Sequence, residues 1–362
     1  MTPGAAPTRG KLLLITDAWR PQVNGVVTAF EQIKRELEKR GFGFVTIHPA
    51  LFKNIPLPLY PEIRLALFPR RSIAHTFDRE QPDYIHIATE GPLGLAARAV
   101  CVRRGLRFTT SYHTHFQLYI HARFRIFLPL VYGLLSWFHK AATRTLVATP
   151  SLKAALQTHD FEHLALWPLG VDEAFFVRNP SPAAPDLPKP VFLFFSRLAP
   201  EKSPEEFLVL DLPGTKLVIG DGPDRAALEA KYGHAALFVG YKKDQELVDW
   251  LSRADVLVFP SRTETLGLVI LESLACGVPV AAHDAMGPKD IITHGLDGYI
   301  GEDLKEAALA CLKLDPARCR EKACHYPWEA SADAFISHLE PCRADARAQA
   351  SNNFGGSPQT VK

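Results

Sequence analysis

Residues 255–282 constrain the fold more than any other part of the chain. Residues 255–260 and 277–282 are apolar runs typical of buried strands, and an apolar helical segment lies between them. Strand, helix and strand in this order predict a parallel βαβ unit, because parallel strands need a crossover connection. Residues 261–265 then lie at the carboxyl end of a strand, where open α/β sheets bind their ligands. We therefore expect a ligand site there.

Two glutamates, Glu264 and Glu272, flank this helical segment. On one regular helix they would lie about 80° apart around the axis and about 12 Å apart along it, so convergence on one small group would be difficult. We expect Glu264 in the loop, Gly267 where a ligand approaches the helix start, and Glu272 pointing inward from the second turn. Gly277 is expected to end the helix in a left-handed conformation. The pattern predicts two carboxylates that hold different ends of one extended ligand.

The rest of the chain repeats the alternation of strands and helices. Further strands are predicted at residues 11–17, 44–47, 83–88, 106–111, 145–148, 191–195, 216–219 and 237–239. Helical segments separate most of them, whereas residues 48–72, rich in proline and arginine, predict an irregular connection. Alternation of this kind predicts doubly wound α/β sheets. Residues 286–290 predict another helix start, whose free amides could meet ligand oxygens.

A proline-rich segment, residues 178–190, divides the chain. Its composition is typical of a semi-rigid linker rather than of packed structure. We therefore expect one domain over residues 11–177 and a second over residues 191–325. A closing element follows at residues 326–340, and the Gly-, Ser- and Asn-rich residues 341–362 predict a disordered tail.

Composition excludes several classes of protein. With 47% hydrophobic and 22% charged residues, the chain is typical of a globular protein. A net charge of +2 gives no bulk attraction to nucleic acid, so we expect no nucleic-acid partner. The six cysteines form no CxxC pair, which disfavours zinc and disulfide frameworks and fits a reducing cytoplasm. The amino terminus lacks the apolar core of a signal peptide.

The loop after the first predicted strand, residues 18–25, argues against one common function. It is too long and too poor in glycine for the GxGxxG fingerprint of dinucleotide binding. An NAD-dependent enzyme is therefore disfavoured.

The glutamate pair and its flanks carry a resemblance. Phe-Pro-Ser precedes the pair and Ala-Cys-Gly-Val-Pro-Val follows it; together they resemble the signature of family 4 retaining glycosyltransferases, which have the GT-B fold. The resemblance covers roughly residues 11–340 and depends on several motifs in the same order. It implies two Rossmann-like α/β domains facing across a cleft, with the closing element crossing back onto the first domain. It also implies transfer of a hexose from a nucleotide-diphosphate sugar, GDP-mannose or a UDP-hexose, to a glycolipid or glycan acceptor, with retention at the anomeric carbon.

The resemblance assigns roles to several residues. Glu272 would bind the ribose hydroxyls, Glu264 the sugar hydroxyls, and Arg197 with Lys202 the donor diphosphate. Fixed cations in a poorly hydrated cleft stabilise the charge that develops on a departing diphosphate. The candidate catalytic residues are His113, Glu264, Arg197 and Lys202. The candidate donor-binding residues are Asn24, Gly25, Arg197, Lys202, Glu264, Thr265, Leu266, Gly267, Leu268 and Glu272.

Two matches to the family are incomplete. Where the family has two adjacent glycines before a valine, this chain has Asn24 and Gly25. Gly25 still permits close approach of a ligand, whereas Asn24 weakens the expected contact, and a surface turn with a left-handed Asn is the alternative. His113 matches the family's histidine that faces the transferred sugar, although a structural histidine remains the alternative. His115 points to the opposite face of an extended segment and is expected to be neutral or to face the acceptor.

The chemistry is expected to need no metal and no cofactor. No DxD pair stands at the expected strand end, and Arg197 and Lys202 would take its electrostatic role. No covalent nucleophile is evident, so a same-face displacement and a short-lived oxocarbenium pair both remain open. The alternative function is a nucleotide-sugar epimerase or phosphorylase of the same fold, or an inactive sugar-nucleotide binder. The sequence shows no motif for the pyridoxal phosphate lysine of a phosphorylase.

An apolar and basic stretch, residues 123–144, has two interpretations. Its uncharged run, residues 127–138, is shorter than the roughly 20 residues that span a bilayer as a helix. One interpretation is a buried helix that begins at Pro129. The other is a face that touches an anionic membrane or a lipid acceptor, with Arg123, Arg125, Lys140 and Arg144 available for head groups. The protein is thus expected to be cytoplasmic, with peripheral attachment to the inner face of the membrane as a further expectation.

Overall fold

The computed structural model describes residues 9–22, 24–57, 60–113 and 128–343. Within these ranges the chain forms two α/β domains, each built on a six-stranded parallel sheet. This confirms the predicted fold class. His115, Arg123 and Arg125 lie outside the described residues.

The N-terminal domain contains the first sheet and a separate hairpin. Its strands are β1 (Lys11–Ile15), β2 (Gly43–Ile47), β3 (Asn54–Leu57), β4 (Tyr60–Ala66), β5 (Tyr84–Ile87), β6 (Thr109–Tyr112), β7 (Arg144–Val147) and β8 (Leu164–Leu166). Its helices are α1 (Gly25–Lys39), α2 (Arg70–Glu80), α3 (Pro92–Arg104), α4 (Leu128–Lys140) and α5 (Pro150–Gln157). The sheet has the order β2-β1-β5-β6-β7-β8.

The C-terminal domain contains the second sheet. Its strands are β9 (Val191–Phe195), β10 (Thr215–Ile219), β11 (Leu237–Gly240), β12 (Val256–Phe259), β13 (Val280–Ala282) and β14 (Gly298–Ile300). Its helices are α6 (Pro204–Leu208), α7 (Arg225–Tyr232), α8 (Asp244–Arg253), α9 (Leu268–Ala275), α10 (Pro288–Ile291), α11 (Leu304–Cys311), α12 (Pro316–Cys324) and α13 (Trp328–His338). The sheet has the order β11-β10-β9-β12-β13-β14.

Local sequence accounts for these elements. Strand β1 is apolar from Leu12 to Ile15 and fully buried there, as expected for a parallel strand covered on both faces. Helix α1 buries Phe30, Ile33 and Leu37, which recur at helical spacing on one face.

The strand order of each sheet determines where a ligand can bind. In the first sheet the chain reverses its direction of growth between β1 and β5, and in the second between β9 and β12. Open α/β sheets bind ligands beyond the carboxyl ends of the strands at such a switch point. The segments after β1, β5, β9 and β12 are therefore the natural site elements.

The prediction of an irregular connection over residues 48–72 was wrong. Strands β3 and β4 form an antiparallel hairpin with Asn54 opposite Ala66, and α2 begins at Arg70. The prediction rested on the prolines of this segment, which disfavour regular structure. Both strands of a two-stranded sheet are edge strands, however, where a proline such as Pro56 is tolerated.

The proline-rich segment, residues 178–190, is irregular but lies against the C-terminal domain. The Arg178 guanidinium donates to the carbonyls of Ser252 and Ala254 at 3.2 and 2.9 Å. The Asn179 amide donates to the Ser252 hydroxyl at 2.8 Å, and Arg253 donates to the Ala184 carbonyl. The segment is thus packed through its backbone carbonyls and polar side chains.

Helix α13 contacts the N-terminal domain. Trp167 Nε1 donates to the carbonyl and the hydroxyl of Ser331 at 3.2 and 3.1 Å. The Phe335 ring lies 5.0 Å from Trp167 and 6.3 Å from Phe30, between centroids. Arg40 forms an ion pair with Asp333. An aromatic cluster therefore joins the end of the chain to the first sheet.

Candidate active site

Contacts across the cleft bring the two sets of predicted residues together. Thr265, in the loop after β12, donates through Oγ1 to the His113 carbonyl at 2.7 Å, and its own carbonyl accepts from Thr149 Oγ1 at 3.2 Å. A Cβ atom on Gly25 would lie 3.7 Å from Leu268 Cδ1. Predicted site residues of both domains thus meet at the carboxyl ends of their strands.

Lys202 and Glu264 form an ion pair at the switch point of the second sheet. Their side chains are only 17% and 13% exposed. Lys202 ends a 3₁₀ turn after β9, and this turn is held to the β12 loop because the Ser261 and Thr263 hydroxyls both donate to the Glu201 carbonyl. The pair is therefore fixed from both loops.

Arg197 is partly buried in the loop that follows β9. The Leu198 amide next to it donates to the Asp221 carbonyl at 2.9 Å. Gly220 approaches this loop so closely that a Cβ atom would lie 1.9 Å from the Ser196 carbonyl, and its φ is +145°. Only glycine fits there, so the Gly220–Gly222 turn supports the position of Arg197.

The residues between the two glutamates occupy different environments. Gly267 precedes α9 and adopts φ 89°, in the left-handed region that favours glycine. The Leu266 side chain is buried in the core. Leu268 is the first residue of α9 and lies near Gly25. Contact between Leu266 and a ligand is therefore restricted to its backbone.

Glu272 lies in the second turn of α9, as predicted, and is partly buried. Burial raises the pKa of its carboxyl to about 7. Burial, Asp244 and the nearby Glu272 charge together raise the pKa of Tyr241, which is half exposed. No side-chain hydrogen bond to the Glu272 carboxylate is found in the described part of the chain. Its oxygens remain available to a ligand with hydroxyl donors.

His113 directly follows β6 and lies among aromatic rings. Its ring packs edge-on against Phe30 and Trp167, at centroid distances of 5.3 and 5.5 Å. Burial, aided by the nearby His139, lowers the pKa of His113 to about 3, so the imidazole is neutral at physiological pH. Its Nε2 is buried and makes no hydrogen bond within the described ranges. Buried polar atoms in proteins normally have a hydrogen-bond partner, supplied by the protein or by water.

Asn24 differs from both predictions made for it. Its φ of −157° is extended, so the left-handed turn was wrong. Its Oδ1 accepts from the Val27 amide at 3.0 Å and caps α1, and its Nδ2 donates to Gln22. The side chain is thus engaged in helix capping, a preferred role of Asn. Contact between Asn24 and the donor stays a prediction.

The helix start predicted at residues 286–290 was only partly right. Helix α10 has four residues, and the Gly287 amide donates to Asp290 Oδ2 at 3.2 Å. That amide is therefore not free for donor oxygens. Asp290 also accepts from the amide of Ser151 at 3.0 Å and from its hydroxyl. Because Ser151 belongs to α5, this carboxylate bridges the two domains.

Two further carboxylates at the first switch point were not singled out from the sequence. Asp17 follows β1 and accepts from the amides of Leu93 and Gly94, at 2.9 and 3.3 Å, and from the Thr89 hydroxyl. Burial raises the pKa of Asp17 to about 6 although these hydrogen bonds oppose the shift. Glu90 follows β5. A carboxylate at the end of each switch-point strand was a signal that sequence reasoning could have used.

Two observations concern metals and membranes. Among the described residues, no group of three or more His, Cys, Asp or Glu side chains is placed to hold a metal ion. None of the helices in those ranges combines the length and the apolar character that crossing a bilayer requires.

Two family models match consecutive parts of the chain. The glycosyltransferase family 4 model matches residues 23–175, and the model of group 1 glycosyl transferases matches residues 178–313. Together they cover both sheets except β1, and most of their helices.

Curated relatives agree with these matches. The sulfoquinovosyl transferase of Arabidopsis thaliana is 32% identical over 69% of this chain, which spans 52% of the relative's length. A GDP-mannose-dependent α-mannosyltransferase of Mycobacterium tuberculosis is 26% identical over 94% of this chain and 99% of its own. The α-monoglucosyldiacylglycerol synthase of Streptococcus pneumoniae is 28% identical over 94% of this chain and 86% of its own.

A solved structure supports the fold. HepE from Anabaena, in complex with UDP and glucose, superimposes with a TM-score of 0.67 at 16% identity, covering 91% of this chain and all of HepE. The family matches and the two facing parallel sheets confirm the predicted family and architecture: the chain belongs to the family 4 glycosyltransferases and has the GT-B fold.

Proposed function

We propose that the protein transfers a hexose from a nucleoside diphosphate sugar to a hydroxyl of a glycolipid or glycan, with retention at the anomeric carbon. The observation that carries this proposal is the Lys202–Glu264 pair at the second switch point. It lies in the loop system that Thr265 links to His113. A cation, a carboxylate and a neutral imidazole thus border one cleft.

Lys202 and Arg197 stabilise the leaving diphosphate. Negative charge grows on this group as the sugar departs, so a fixed cation interacts more strongly with the transition state than with the bound donor. Glu264 holds the Lys202 ammonium in place. Because these two cations follow β9, they take the electrostatic role that a metal ion would otherwise have.

Glu264 and His113 contact the transferred sugar from opposite domains. The Glu264 carboxylate accepts hydrogen bonds from sugar hydroxyls with the oxygen that Lys202 does not occupy. The neutral His113 presents a buried Nε2 that lacks a hydrogen bond among the described residues. A sugar hydroxyl satisfies this atom and fixes the orientation of the ring.

Glu272 binds the ribose. The two ribose hydroxyls donate to its carboxylate, which has no such donor in the described part of the chain. Hydrogen bonds to the charged form lower the pKa of a carboxyl, so nucleotide binding opposes the rise to about 7 that burial causes.

The acceptor is proposed to be a lipid-linked molecule at an anionic membrane surface. The apolar residues Leu130, Leu134 and Trp137 of α4 are 69%, 58% and 50% exposed, so the prediction of a buried helix holds for only part of α4. The name of the pneumococcal relative also includes a diacylglycerol product.

The basic residues of this face contribute less than the sequence suggested. Lys140 forms an ion pair with Glu162 at 2.8 Å, and Arg144 approaches Glu340 at 3.7 Å. Arg123 and Arg125 are outside the described residues. The apolar face of α4 is therefore the main structural support for peripheral attachment.

The test is a donor and acceptor survey. Release of nucleoside diphosphate from GDP-mannose, UDP-glucose, UDP-galactose and UDP-glucuronate is measured with and without dioleoylglycerol micelles, and the anomeric configuration of the product is determined by NMR. Transfer with an α-linkage from an α-linked donor supports the proposal. Isomerisation of the sugar nucleotide without transfer would instead support an epimerase.

A further inference from the structure

Glu90 lies at the switch point of the first sheet. It follows β5, which pairs with β1 on one side and β6 on the other. The segments after both of these flanking strands contact the C-terminal domain, through Gly25 near Leu268 and through the His113 carbonyl. Glu90 therefore lies beyond the carboxyl end of the strand between them, at the edge of the sheet that faces the C-terminal domain.

A buried chain of hydrogen bonds ends on Glu90. His139 Nε2 lies 3.1 Å from Glu90 Oε1, His139 Nδ1 lies 2.9 Å from Thr110 Oγ1, and Thr110 Oγ1 lies 3.0 Å from Thr145 Oγ1. His139, Thr110 and Thr145 are all buried. The carboxylate can only accept, so Nε2 donates to it. A neutral imidazole that donates from Nε2 accepts at Nδ1, and the Thr110 hydroxyl then accepts from Thr145.

The hydrogen bonds of this series all have the same direction. Each member donates toward Glu90, and hydrogen bonds in such a chain polarise one another. The chain thus fixes one oxygen of the Glu90 carboxylate. No hydrogen bond to Glu90 Oε2 is found in the described ranges, and the side chain is 24% exposed. One carboxylate oxygen is held rigidly while the other remains able to accept.

The neighbouring Asp17, at the same edge of the sheet, is a carboxylate with a structural role and serves as a comparison. Asp17 is buried, and both of its oxygens accept hydrogen bonds, from the Leu93 and Gly94 amides and from the Thr89 hydroxyl. It caps the start of α3. Glu90 has no such set of partners. Burial is the main cause of the raised pKa of Asp17, and the nearby charge of Glu90 raises it further.

We propose that Glu90 Oε2 accepts a hydrogen bond from a hydroxyl of the acceptor and so forms an acceptor subsite. The proposal deepens the proposed glycosyl transfer and rests on it. A rigid carboxylate beside Asp17 favours neutral hydroxyl groups and disfavours an anionic phosphate, because like charges repel. The acceptor part that binds here is therefore an uncharged polyol: a sugar, a cyclitol or a glycerol unit.

Glu90→Gln tests the subsite. The Gln side chain keeps an oxygen for His139 but replaces the accepting Oε2 by an NH₂ donor. With the donor saturating, acceptor KM is measured with dioleoylglycerol micelles, methyl α-mannoside and myo-inositol, and with inositol 1-phosphate as the anionic comparison. We expect a rise of about tenfold to a hundredfold in KM for the uncharged acceptor, the range for a hydrogen bond to a charged group. Donor KM should change less than twofold.

Glu80→Gln is the matched control. Its side chain has a similar exposure, 21%, and its carboxylate is paired with Lys11 and Arg79 at the amino end of β5, on the opposite edge of the sheet. We expect both KM values to remain at the wild-type level. A Glu90 variant with a lower melting temperature and unchanged acceptor KM would show a structural role and overturn the inference.

The remaining outcomes separate the inference from the proposed function. If the wild type releases nucleoside diphosphate but glycosylates only inositol 1-phosphate, or none of the uncharged probes, the subsite inference is wrong. If no sugar donor is turned over or bound, the proposed function itself fails. Glu90→Asp, which keeps the charge but shortens the side chain, should restore part of the acceptor affinity.

Discussion

Thr265 Oγ1 donates a 2.7 Å hydrogen bond to the His113 carbonyl and thereby links the loop of the glutamate pair to the histidine of the other domain. These residues are 152 positions apart in the sequence. The contact lies between the segments after β6 and β12, beside the Lys202–Glu264 pair. One loop therefore carries both Glu264 and a contact with the N-terminal domain.

Lys202→Ala should lower turnover far more than stability. In the proposed site the ammonium lies where charge develops on the leaving diphosphate, and loss of one such oriented group costs about 2.7 to 4 kcal/mol of barrier, or about 10²- to 10³-fold in kcat. Steady-state kinetics and a melting curve measure the two effects. Lys231→Ala removes an exposed lysine that is paired with Glu205 and should leave both unchanged. An unaltered kcat, or a collapse in melting temperature, would remove Lys202 from the proposed site.

Substitutions of Glu272 and Glu264 should have different effects on ligand binding. Glu272→Ala should weaken binding of free UDP or GDP, because the ribose hydroxyls lose their acceptor. Glu264→Ala should spare the free nucleotide and weaken binding of the intact sugar donor. Calorimetry with both ligands measures this difference. Equal effects of the two variants on the free nucleotide would contradict the division of roles.

The stability of the ligand-free protein should fall as pH rises toward neutrality. Glu272 has a pKa of about 7 when folded, against an ordinary value of 4.5. Between these values the folded protein retains a proton that the unfolded chain releases, so its contribution to stability is present below about pH 4.5 and is lost as pH rises through about 7. Each pKa unit corresponds to about 1.36 kcal/mol. Partial exposure of the side chain reduces the total to about 1 to 3 kcal/mol.

Melting temperature against pH, with Glu272→Gln as the comparison, tests this effect. The uncharged glutamine should flatten the fall between pH 5 and pH 7.5. At lower pH, part of the decrease in melting temperature should remain in the variant, because Asp17 has a pKa of about 6. Identical curves for the wild type and the variant would mean that ionisation of Glu272 does not destabilise the folded protein.

Local patterns were sufficient for ten of the fourteen strands in the described ranges and for Glu272 in the second turn of α9, but not for β3, β4, β8 and β14. These features depend on apolar runs and on glycines close by in the sequence. The roles of Asn24 and Asp290 could not be obtained in this way. Asn24 capping requires knowledge of where α1 starts, and Asp290 bonds a residue 139 positions away. The Glu90–His139 contact spans 49 positions, so only the fold brings the two together.

The apolar face of α4 should bind anionic vesicles. Leu130→Ser/Leu134→Ser removes two exposed leucines and should reduce co-sedimentation, since a buried apolar side chain contributes about 1.5 to 3 kcal/mol. Leu296→Ser changes an equally exposed leucine of the C-terminal domain and is the matched control. Arg123→Glu/Arg125→Glu should weaken binding mainly at low salt, because salt screens exposed charges beyond about 8 Å at physiological ionic strength. Wild-type protein that stays in the supernatant at low salt would favour a soluble acceptor.

Asp290→Ala should loosen the contact between the domains. The Asp290 carboxylate accepts from the amide of Ser151 at 3.0 Å and from its hydroxyl, at the start of α5. Hydrogen bonds to a charged group contribute about 1.5 to 3 kcal/mol each, and the loss of this bridge removes two of them between the domains. We expect a larger radius of gyration by small-angle scattering in the absence of ligand, and a kcat lower by about tenfold. Asp284→Ala changes an exposed aspartate in the connection between β13 and α10, and this variant should match the wild type in both measurements. Unchanged scattering with unchanged kcat would show that the other contacts between the domains, such as Thr265 with His113 and Thr149, hold them together without this bridge.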